Sequence, residues 1–238
     1  MITVATWNVL HRVHAENWGE AVLTRWPDEA ERIAAITADL AGRAEQVVAL
    51  QEVSGDQLAS LRFTLTGRTI HTFRYPRVPK PRNDASFPLC DPGEYLVLLV
   101  DGPSRRVAAE SFADDPGKGA LIVEVAGTLI VATHVSGDHR RAGQLTRLAK
   151  LAAPATGRTA VLLGDFNADR VRVESGLGPG FAVADLALDA LPTRPPTSDA
   201  VSEWIDHVVL RGGDAIGAEV VNTCGLSDHN LVRATVTA

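Results

Sequence analysis

The sequence has few cysteines and no excess of positive charge, and each shortage excludes a class of site or partner. Cys90 and Cys224 are the only cysteines among 238 residues. Two thiols far apart form neither a disulfide framework nor a cysteine zinc site. The formal net charge is −6, whereas proteins that grip duplex nucleic acid usually carry a basic face. Bulk charge therefore gives no support for binding to duplex DNA.

Long hydrophobic runs are also absent. No apolar run approaches the ~20 residues that a membrane-spanning helix needs. The N-terminus, MITVATWNVLHR, has neither the basic region nor the apolar region of a signal peptide. We therefore expect a cytoplasmic protein without a membrane span, and no protein partner is evident. Hydrophobic residues still form 45% of the chain, which is enough for a buried core and excludes a disordered chain.

Short apolar strands alternate with at least two amphipathic helices. Helices are predicted over residues 28–41 and 138–151, with a shorter one over 56–61, and loop-rich stretches over 76–93 and 174–203. Strands are predicted over residues 2–7, 47–50, 95–100, 120–125, 129–134, 159–163, 205–210 and 231–237. No repeat or linker separates two cores. We expect a single domain over residues 1–238, with helices covering packed sheets.

Polar side chains recur at strand ends, where rigid supports hold them at the rim of a sheet. This set is Asn8, Glu52, His134, Asp165, Asn167, Asp206, Asp228 and His229. Each residue alone is more typical of a turn or a solvated loop. Together they form an oxygen-rich set without thiolate, which selects Mg²⁺ or Mn²⁺. Histidines among carboxylates can donate to a phosphate or protonate a leaving oxygen, so the set indicates metal-assisted hydrolysis of a phosphate ester.

The same residues lie in short segments that follow one order along the chain. These are TWNV at 6–9, LQEV at 50–53, THV at 133–135, GDFN at 164–167, IDHV at 205–208 and SDH at 227–229. In this order the chain resembles the endonuclease/exonuclease/phosphatase superfamily of deoxyribonuclease-I-like and exonuclease-III-like enzymes. The resemblance implies a four-layer α/β/β/α sandwich, in which helices flank two packed mixed or antiparallel sheets. It also implies one active site at one end of the sandwich.

The resemblance implies a metal site in this chain. Glu52 would be the principal ligand, Asn8 would lie beside it, and Asp228 would also belong to the metal region. The cofactor would be Mg²⁺, with Mn²⁺ as a possible substitute, because such oxygen ligands suit hard divalent cations.

The resemblance also implies catalytic roles. Asp165 would orient or deprotonate the attacking water, and Asn167 would hold the phosphate or the nucleophile. His229 would contact the scissile phosphate, with Asp206 orienting it by a hydrogen bond. His134 would lie on the other side of the phosphate, as a donor or as the acid for the leaving group. Such an arrangement suits phosphoryl transfer, which needs positioning and positive charge around the phosphate oxygens.

Substrate contacts are less determined by the sequence. Arg140 and Arg141 are predicted to bind substrate, although such a pair is more often a solvated surface. Trp18 and Trp26 either cover the first helix or offer a platform for base stacking. The family often has a basic residue just before its Ile-Asp motif, where this chain has Trp204. Segments 62–93 and 170–203 are where any substrate-gripping insertions would have to lie.

Three functions fit these observations. The leading hypothesis is a Mg²⁺-dependent phosphodiesterase that acts on nucleic acid or nucleotides, because an acidic chain with local basic residues favours a small or single-stranded substrate. The first alternative is a phosphomonoesterase on a small metabolite or an inositol-type phosphate. The second is a catalytically silent binding module, against which the retention of every expected polar position argues.

Overall fold

The computed structural model describes residues 1–82, 89–153, 159–196 and 201–237. Parts of both predicted loop stretches, residues 83–88 and 197–200, lie outside the described residues. The described strands are β1 (Ile2–Asn8), β2 (Val47–Ser54), β3 (Thr69–Arg74), β4 (Glu94–Val100), β5 (Ser104–Phe112), β6 (Asp115–Val125), β7 (Thr128–His134), β8 (Ala160–Asp165), β9 (Phe181–Val183), β10 (Asp206–Arg211), β11 (Asp214–Val221) and β12 (Leu231–Thr237). The described helices are α1 (Arg12–Trp18), α2 (Val22–Arg25), α3 (Glu29–Ala41), α4 (Gly55–Thr64), α5 (Arg141–Leu151) and α6 (Arg170–Leu177).

The strands form two six-stranded sheets. The first sheet has the order β11-β12-β1-β2-β4-β3, and the second has the order β5-β6-β7-β8-β10-β9. Both sheets are mixed, because β1 runs parallel to β2 and β7 runs parallel to β8, while the other pairs are antiparallel. A hairpin turn joins β6 to β7, with positive φ angles at Ala126 and Gly127, as a tight hairpin turn requires.

Three apolar layers hold the sheets and helices together. Side chains such as Leu98 and Leu163 fill the space between the two sheets. Ile36 of α3 packs on the outer face of the first sheet, and Leu145 of α5 packs on the outer face of the second. The order helix, sheet, sheet, helix confirms the predicted four-layer sandwich. None of the described helices is long and apolar enough to cross a membrane.

Several element boundaries differ from the sequence prediction. The sequence predicts neither the short helices α1 and α2 nor the strands β3, β5, β9 and β11. Helix α6 and strand β9 occupy part of the stretch that was expected to be loop. Helix α5 begins at Arg141 and not at 138, because the Asp138 carboxylate binds both the backbone and the guanidinium of Arg140. The assignment of residues 1–238 to one domain stays a prediction.

The strand register gathers the predicted motifs at one end of the sandwich. Asn8, the last residue of β1, lies opposite Gln51 of β2. In the second sheet, Asp165 lies opposite both His134 of β7 and Asp206 of β10. Parallel neighbours end at the same edge of a sheet, and the antiparallel strand β10 begins at that edge, so these polar residues lie close together.

A buried arginine ties the first motif to α3 and to the loop before β12. Arg32 is 2% exposed, and its guanidinium donates to the carbonyls of Val9, Leu10 and Leu226 at 2.8–3.0 Å. It also forms a bidentate pair with Glu29 at 2.6 and 2.8 Å. A single planar donor group therefore satisfies three carbonyls beside the end of the sandwich where the motifs gather.

We predict that Arg32→Met lowers the free energy of unfolding by about 3 kcal/mol, because it leaves buried carbonyls and a buried carboxylate without their main donor. Urea denaturation measures the change. The control is Arg172→Met, which removes an exposed arginine that is 3.5 Å from Asp169 and should change stability by less than about 0.5 kcal/mol. A loss below about 1 kcal/mol for Arg32→Met would contradict this account.

Candidate active site

A cleft of about 720 Å³ opens where the motifs meet. On its floor, Nδ2 of Asn8 is 3.2 Å from Glu52 Oε1 and 3.1 Å from Asp165 Oδ2. The Asn8 Oδ1 atom accepts the backbone N–H of Leu10 at 3.0 Å, which fixes the amide orientation. Asn8 lies beside Glu52 as predicted, but it turns its donor nitrogen towards the carboxylates. In this arrangement the amide nitrogen of Asn8 bridges the two carboxylates. Its amide oxygen, the atom that could bind a metal, is not directed to the same place.

A bulge in β2 directs Glu52 into the cleft. The pairing of β2 with β4 shifts register between Leu50 and Val53, and Glu52 has a φ of 59°. A left-handed conformation at a residue other than glycine costs about 1–3 kcal/mol, so the surrounding structure must enforce it. The Glu52 Oε2 atom accepts the backbone N–H of His11 at 3.1 Å. Each carboxylate oxygen thus has one donor and keeps lone-pair capacity for a cation.

His229 is fixed from three directions. Its Nδ1 is 2.8 Å from Asp206 Oδ2. Its backbone carbonyl accepts the indole N–H of the buried Trp7 at 3.1 Å, and its backbone N–H donates to Ser227 Oγ at 3.1 Å. Since Asp206 occupies Nδ1, Nε2 is the nitrogen left for a ligand in the cleft. The predicted pairing of Asp206 with His229 is therefore present in the structure.

The charges around His229 keep it protonated. Burial alone would lower its pKa, but the carboxylates of Asp206, Asp228 and Asp165 raise it to about 10. Burial raises the pKa of Asp206 to about 6, with the charge of His229 opposing this shift. Between these two values the pair is a carboxylate and an imidazolium. His229 therefore presents a positively charged donor to the cleft at neutral pH.

His134 and Lys118 lie next to the two carboxylates of the floor. His134 Nε2 is 3.4 Å from Asp165 Oδ2 and 3.8 Å from Glu52 Oε1. The Lys118 ammonium contacts the His134 ring, 3.0 Å from Nδ1. Burial alone would raise the pKa of both carboxyl groups. Neighbouring histidines, His14 and His134 beside Glu52 and His134 and His229 beside Asp165, together with the Lys118 ammonium, lower it below the ordinary range. Both carboxylates are therefore ionised at neutral pH.

Arg194 enters the cleft from the segment before β10. Its guanidinium is within 3.2–3.4 Å of carboxylate oxygens of Glu20, Glu203 and Asp228. Thr193 pins this segment, because its Oγ1 accepts backbone N–H groups at the start of β10. The predicted metal-region residue Asp228 does line the cleft, yet the protein already supplies its cationic partner. Asp228 therefore acts in this arrangement as the counter-charge of Arg194.

Asn167 lines the cleft, and its predicted role of holding the phosphate or the nucleophile stays a prediction. Its backbone N–H donates to Asp165 Oδ1 at 2.8 Å, and its Nδ2 donates to the Val135 carbonyl at 2.9 Å. A φ of 48° places the residue in the left-handed region that asparagine tolerates. The Gly-Asp-Phe-Asn turn thus orients both Asp165 and Asn167.

Arg140 and Arg141, the two residues predicted to bind substrate, lie outside the cleft. The Arg140 guanidinium pairs with Asp138 at 2.8 Å and with Asp115 at 3.3 Å. Arg141 donates to the carbonyls of Ser136 and Gly137. Neither side chain lines the cleft. Their local acceptors explain the difference, because both guanidinium groups serve the turn that leads into α5.

Among the residues that the structure describes, two groups in this region offer ligand atoms for a metal. The first is Asp165, Asp206 and His229, whose ligand atoms lie within 4.8 Å of one another. A cation there would displace the hydrogen bond between Asp206 and His229, and Asp206 is fully buried. The second group, Glu52 with Asp165, faces the cleft and provides only oxygen. The second group fits Mg²⁺ better, because that ion retains several waters and needs an accessible side.

Comparison with known proteins places this geometry in a family. The model of the Endonuclease/Exonuclease/phosphatase family matches residues 5–229. The chain belongs to that family. It is therefore a hydrolase of phosphate ester bonds, as members of this family are. No curated protein matches the sequence.

Solved structures share the fold at low sequence identity. Zebrafish (D. rerio) TDP2 complexed with single-strand DNA product is 17% identical with a TM-score of 0.70, covering 100% of this chain and 99% of that one. An endonuclease/exonuclease/phosphatase protein from Bacteroides vulgatus is 17% identical with a TM-score of 0.70, over 99% and 98% of the two chains. ANGEL2, a 2′,3′-cyclic phosphatase in complex with adenosine-2′,3′-vanadate, is 13% identical with a TM-score of 0.69, over 99% and 95%.

The sequence did not single out Lys118, Arg194 and His14, all of which line the cleft. Lys118 precedes Gly119, the residue opposite His134 in the hairpin, so pairing the hairpin strands would have placed it beside that histidine. Arg194 and His14 carry no comparable signal, because one lies in an irregular segment and the other in a helix of 7 residues.

We predict that Asp206→Asn lowers kcat about a hundredfold and moves the alkaline limb of the pH profile towards neutral pH. The carboxylate raises the pKa of His229, so its loss lets the imidazolium deprotonate at a lower pH. Measurement of kcat/KM against pH, with the exposed Asp101→Asn as control, tests this. An unchanged alkaline limb would show that Asp206 does not hold the charge of His229.

Proposed function

We propose that this protein is a divalent-cation-dependent phosphodiesterase that acts on single-stranded nucleic acid or nucleotides. The observation that carries the proposal is the pair of ionised carboxylates, Glu52 and Asp165, on the floor of a cleft whose lining also holds Arg77, Lys118 and Arg194. Two neighbouring buried carboxylates repel each other unless positive charge lies between or beside them. A bound divalent cation would supply such positive charge, and it would also attract a phosphate oxygen of the substrate.

Glu52 would hold the metal, with Asp165 adjoining it. When bound, Mg²⁺ would supply positive charge at a phosphate or leaving-group oxygen and would lower the pKa of bound water. Asn8 holds the two carboxylates next to each other by donating a hydrogen bond to each. The strained backbone of Glu52 supports this role, because such strain is typical of functional positions.

The other cleft residues would position the reacting groups. Asp165 would accept a hydrogen bond from the attacking water and orient it, since its lowered pKa suits orientation better than proton removal. Asn167 would help to hold the phosphate. His229 would donate from Nε2 to a phosphate oxygen as negative charge develops there. His134 lies on the other side of Asp165, where it would donate to the leaving oxygen.

The charge distribution supports a nucleic acid or nucleotide substrate. The cleft gathers Lys118, Arg77, Arg194 and three histidines, although the chain as a whole carries a formal charge of −6. A local basic lining in an acidic protein favours short or single-stranded substrates over long duplexes. The complexes of D. rerio TDP2 with single-strand DNA product and of ANGEL2 with an adenosine vanadate are compatible with this substrate class.

We predict EDTA-sensitive hydrolysis of phosphodiesters, with single-stranded RNA or DNA preferred to duplex DNA. Asp165→Asn should lower kcat about 10³-fold, because it removes the carboxylate that orients water while keeping the shape of the side chain. The assay uses single-stranded RNA, single- and double-stranded DNA, bis(4-nitrophenyl) phosphate and several phosphomonoesters in Mg²⁺ or Mn²⁺.

Asp101→Asn is the matched control, since Asp101 is exposed and lies outside the cleft. Thermal unfolding of both variants shows whether the fold is kept. Release of inorganic phosphate from monoesters, without cleavage of any diester, would replace the phosphodiesterase proposal with the phosphomonoesterase alternative. Near-normal turnover by Asp165→Asn would remove that residue from the mechanism.

A further inference from the structure

The short helix α1 forms one wall of the cleft, and its residues have no role in the catalysis proposed above. His14 and Trp18 lie four residues apart on α1, so they share one face of the helix. Both line the cleft together with Glu52 and Lys118. This wall therefore presents an imidazole and an indole beside the carboxylate floor.

The carboxylate of Glu94 holds the His14 ring in place, and Glu94 has no role in the catalysis proposed above. The Glu94 side chain is fully buried, and its Oε2 is 3.1 Å from Nε2 of His14. Its Oε1 has no hydrogen-bond partner in the described part of the chain. A buried carboxylate beside one imidazole favours the imidazolium. The His14 side chain keeps 22% of its surface exposed, so a ligand in the cleft can reach it.

Two further cations lie in the same cleft. The Arg77 guanidinium lies directly against Gly117, where a Cβ atom would collide with it. This contact places Arg77 beside Lys118, the next residue. Asp115 anchors Arg77 at 3.1 Å, and 42% of the arginine side chain stays exposed. Arg77, Lys118 and His14 thus bring three basic side chains to the lining of one cleft.

Trp18 offers an aromatic surface next to these cations. Its side chain is 66% exposed, which is unusual for tryptophan in a soluble protein. The guanidinium of Arg82 lies 4.1 Å from the centre of the ring, and Asn17 fixes Arg82 by accepting from its backbone N–H at 2.7 Å. A supported indole at the mouth of a cationic cleft is suited to stacking on a nucleobase.

We propose that His14, Trp18, Lys118 and Arg77 form a second nucleotide subsite, in which the cations bind a phosphate adjacent to the scissile one and the indole stacks on its base. This inference rests on the proposed phosphodiesterase function and extends it to a substrate class. The preferred substrates are oligonucleotides with at least two phosphates. The pair of His14 and Glu94 acts in binding, whereas the pair of His229 and Asp206 acts on the scissile phosphate.

The test compares four substrates in Mg²⁺. These are bis(4-nitrophenyl) phosphate, the dinucleotide TpT, and the same dinucleotide with an additional 5′-phosphate (pTpT) or 3′-phosphate (TpTp). We expect kcat/KM for pTpT or TpTp to exceed that for TpT about tenfold, the size of one charge-assisted contact. The double variant His14→Gln with Glu94→Gln, which leaves no buried charge unpaired, should abolish this preference.

A second variant tests the subsite independently, in case the double variant does not fold. Arg77→Gln should reduce the preference several-fold, and its partner Asp115 retains Arg140 at 3.3 Å, so the fold should persist.

Trp18→Ala should lower kcat/KM for TpT about tenfold, whereas Trp18→Phe should retain most of it. Trp204→Ala is the matched control, because Trp204 is 44% exposed and lies outside the cleft lining.

The outcomes separate the two proposals. If EDTA-sensitive cleavage of bis(4-nitrophenyl) phosphate is seen without any preference for pTpT or TpTp over TpT, the subsite is wrong and the proposed function stands. A preference that survives both folded variants would also overturn the subsite. If the protein cleaves none of the four diesters, both proposals fail.

Discussion

The structure depends on keeping two carboxylates buried side by side. Glu52 belongs to the first sheet and Asp165 to the second, and the Asn8 amide donates to both. This amide therefore joins the two sheets at the same point where it holds the charges. Because like charges in a buried site repel each other, the surrounding residues must supply compensating cations. Lys118 and the protonated His229 meet that requirement, and they make the cleft suitable for an anionic substrate.

The cleft contains two pairs in which a buried carboxylate contacts a histidine. A histidine bound to a buried carboxylate appears as His229 with Asp206 and again as His14 with Glu94. In each pair the carboxylate favours the charged imidazole and fixes the nitrogen that it contacts. The first pair adjoins Asp165, and the second lies in the cleft wall with Glu52. Two positively charged donors along one cleft suit a substrate with more than one phosphate.

The sequence predicted the centre of the fold better than its edges. The four strands that it did not predict, β3, β5, β9 and β11, are the four edge strands of the two sheets. Edge strands bury little surface, so their sequences need no strong apolar pattern. In β5, SRRVAAESF, most side chains are exposed or half-buried, whereas the correctly predicted β7 is buried throughout.

The predictable part of the site has a similar explanation. Asn8, Asp165 and His134 end apolar strands, and parallel neighbours bring such ends together, so their position follows from local sequence. The roles of Arg194 and Arg140 depend on distant carboxylates, which no local pattern reveals. Arg140 was predicted to bind substrate but pairs with Asp115. Arg194 was not singled out, yet long-range pairs with Glu20 and Asp228 place it in the cleft.

The position of a bound cation tests the central claim most directly. Crystals of the protein soaked in Mn²⁺ would reveal the ion by its anomalous scattering. We predict a peak beside the Glu52 carboxylate, facing the cleft, which disappears in Glu52→Gln while the exposed control Glu31→Gln retains it. A peak among Asp165, Asp206 and His229, or a peak beside residue 52 that survives Glu52→Gln, would contradict the account.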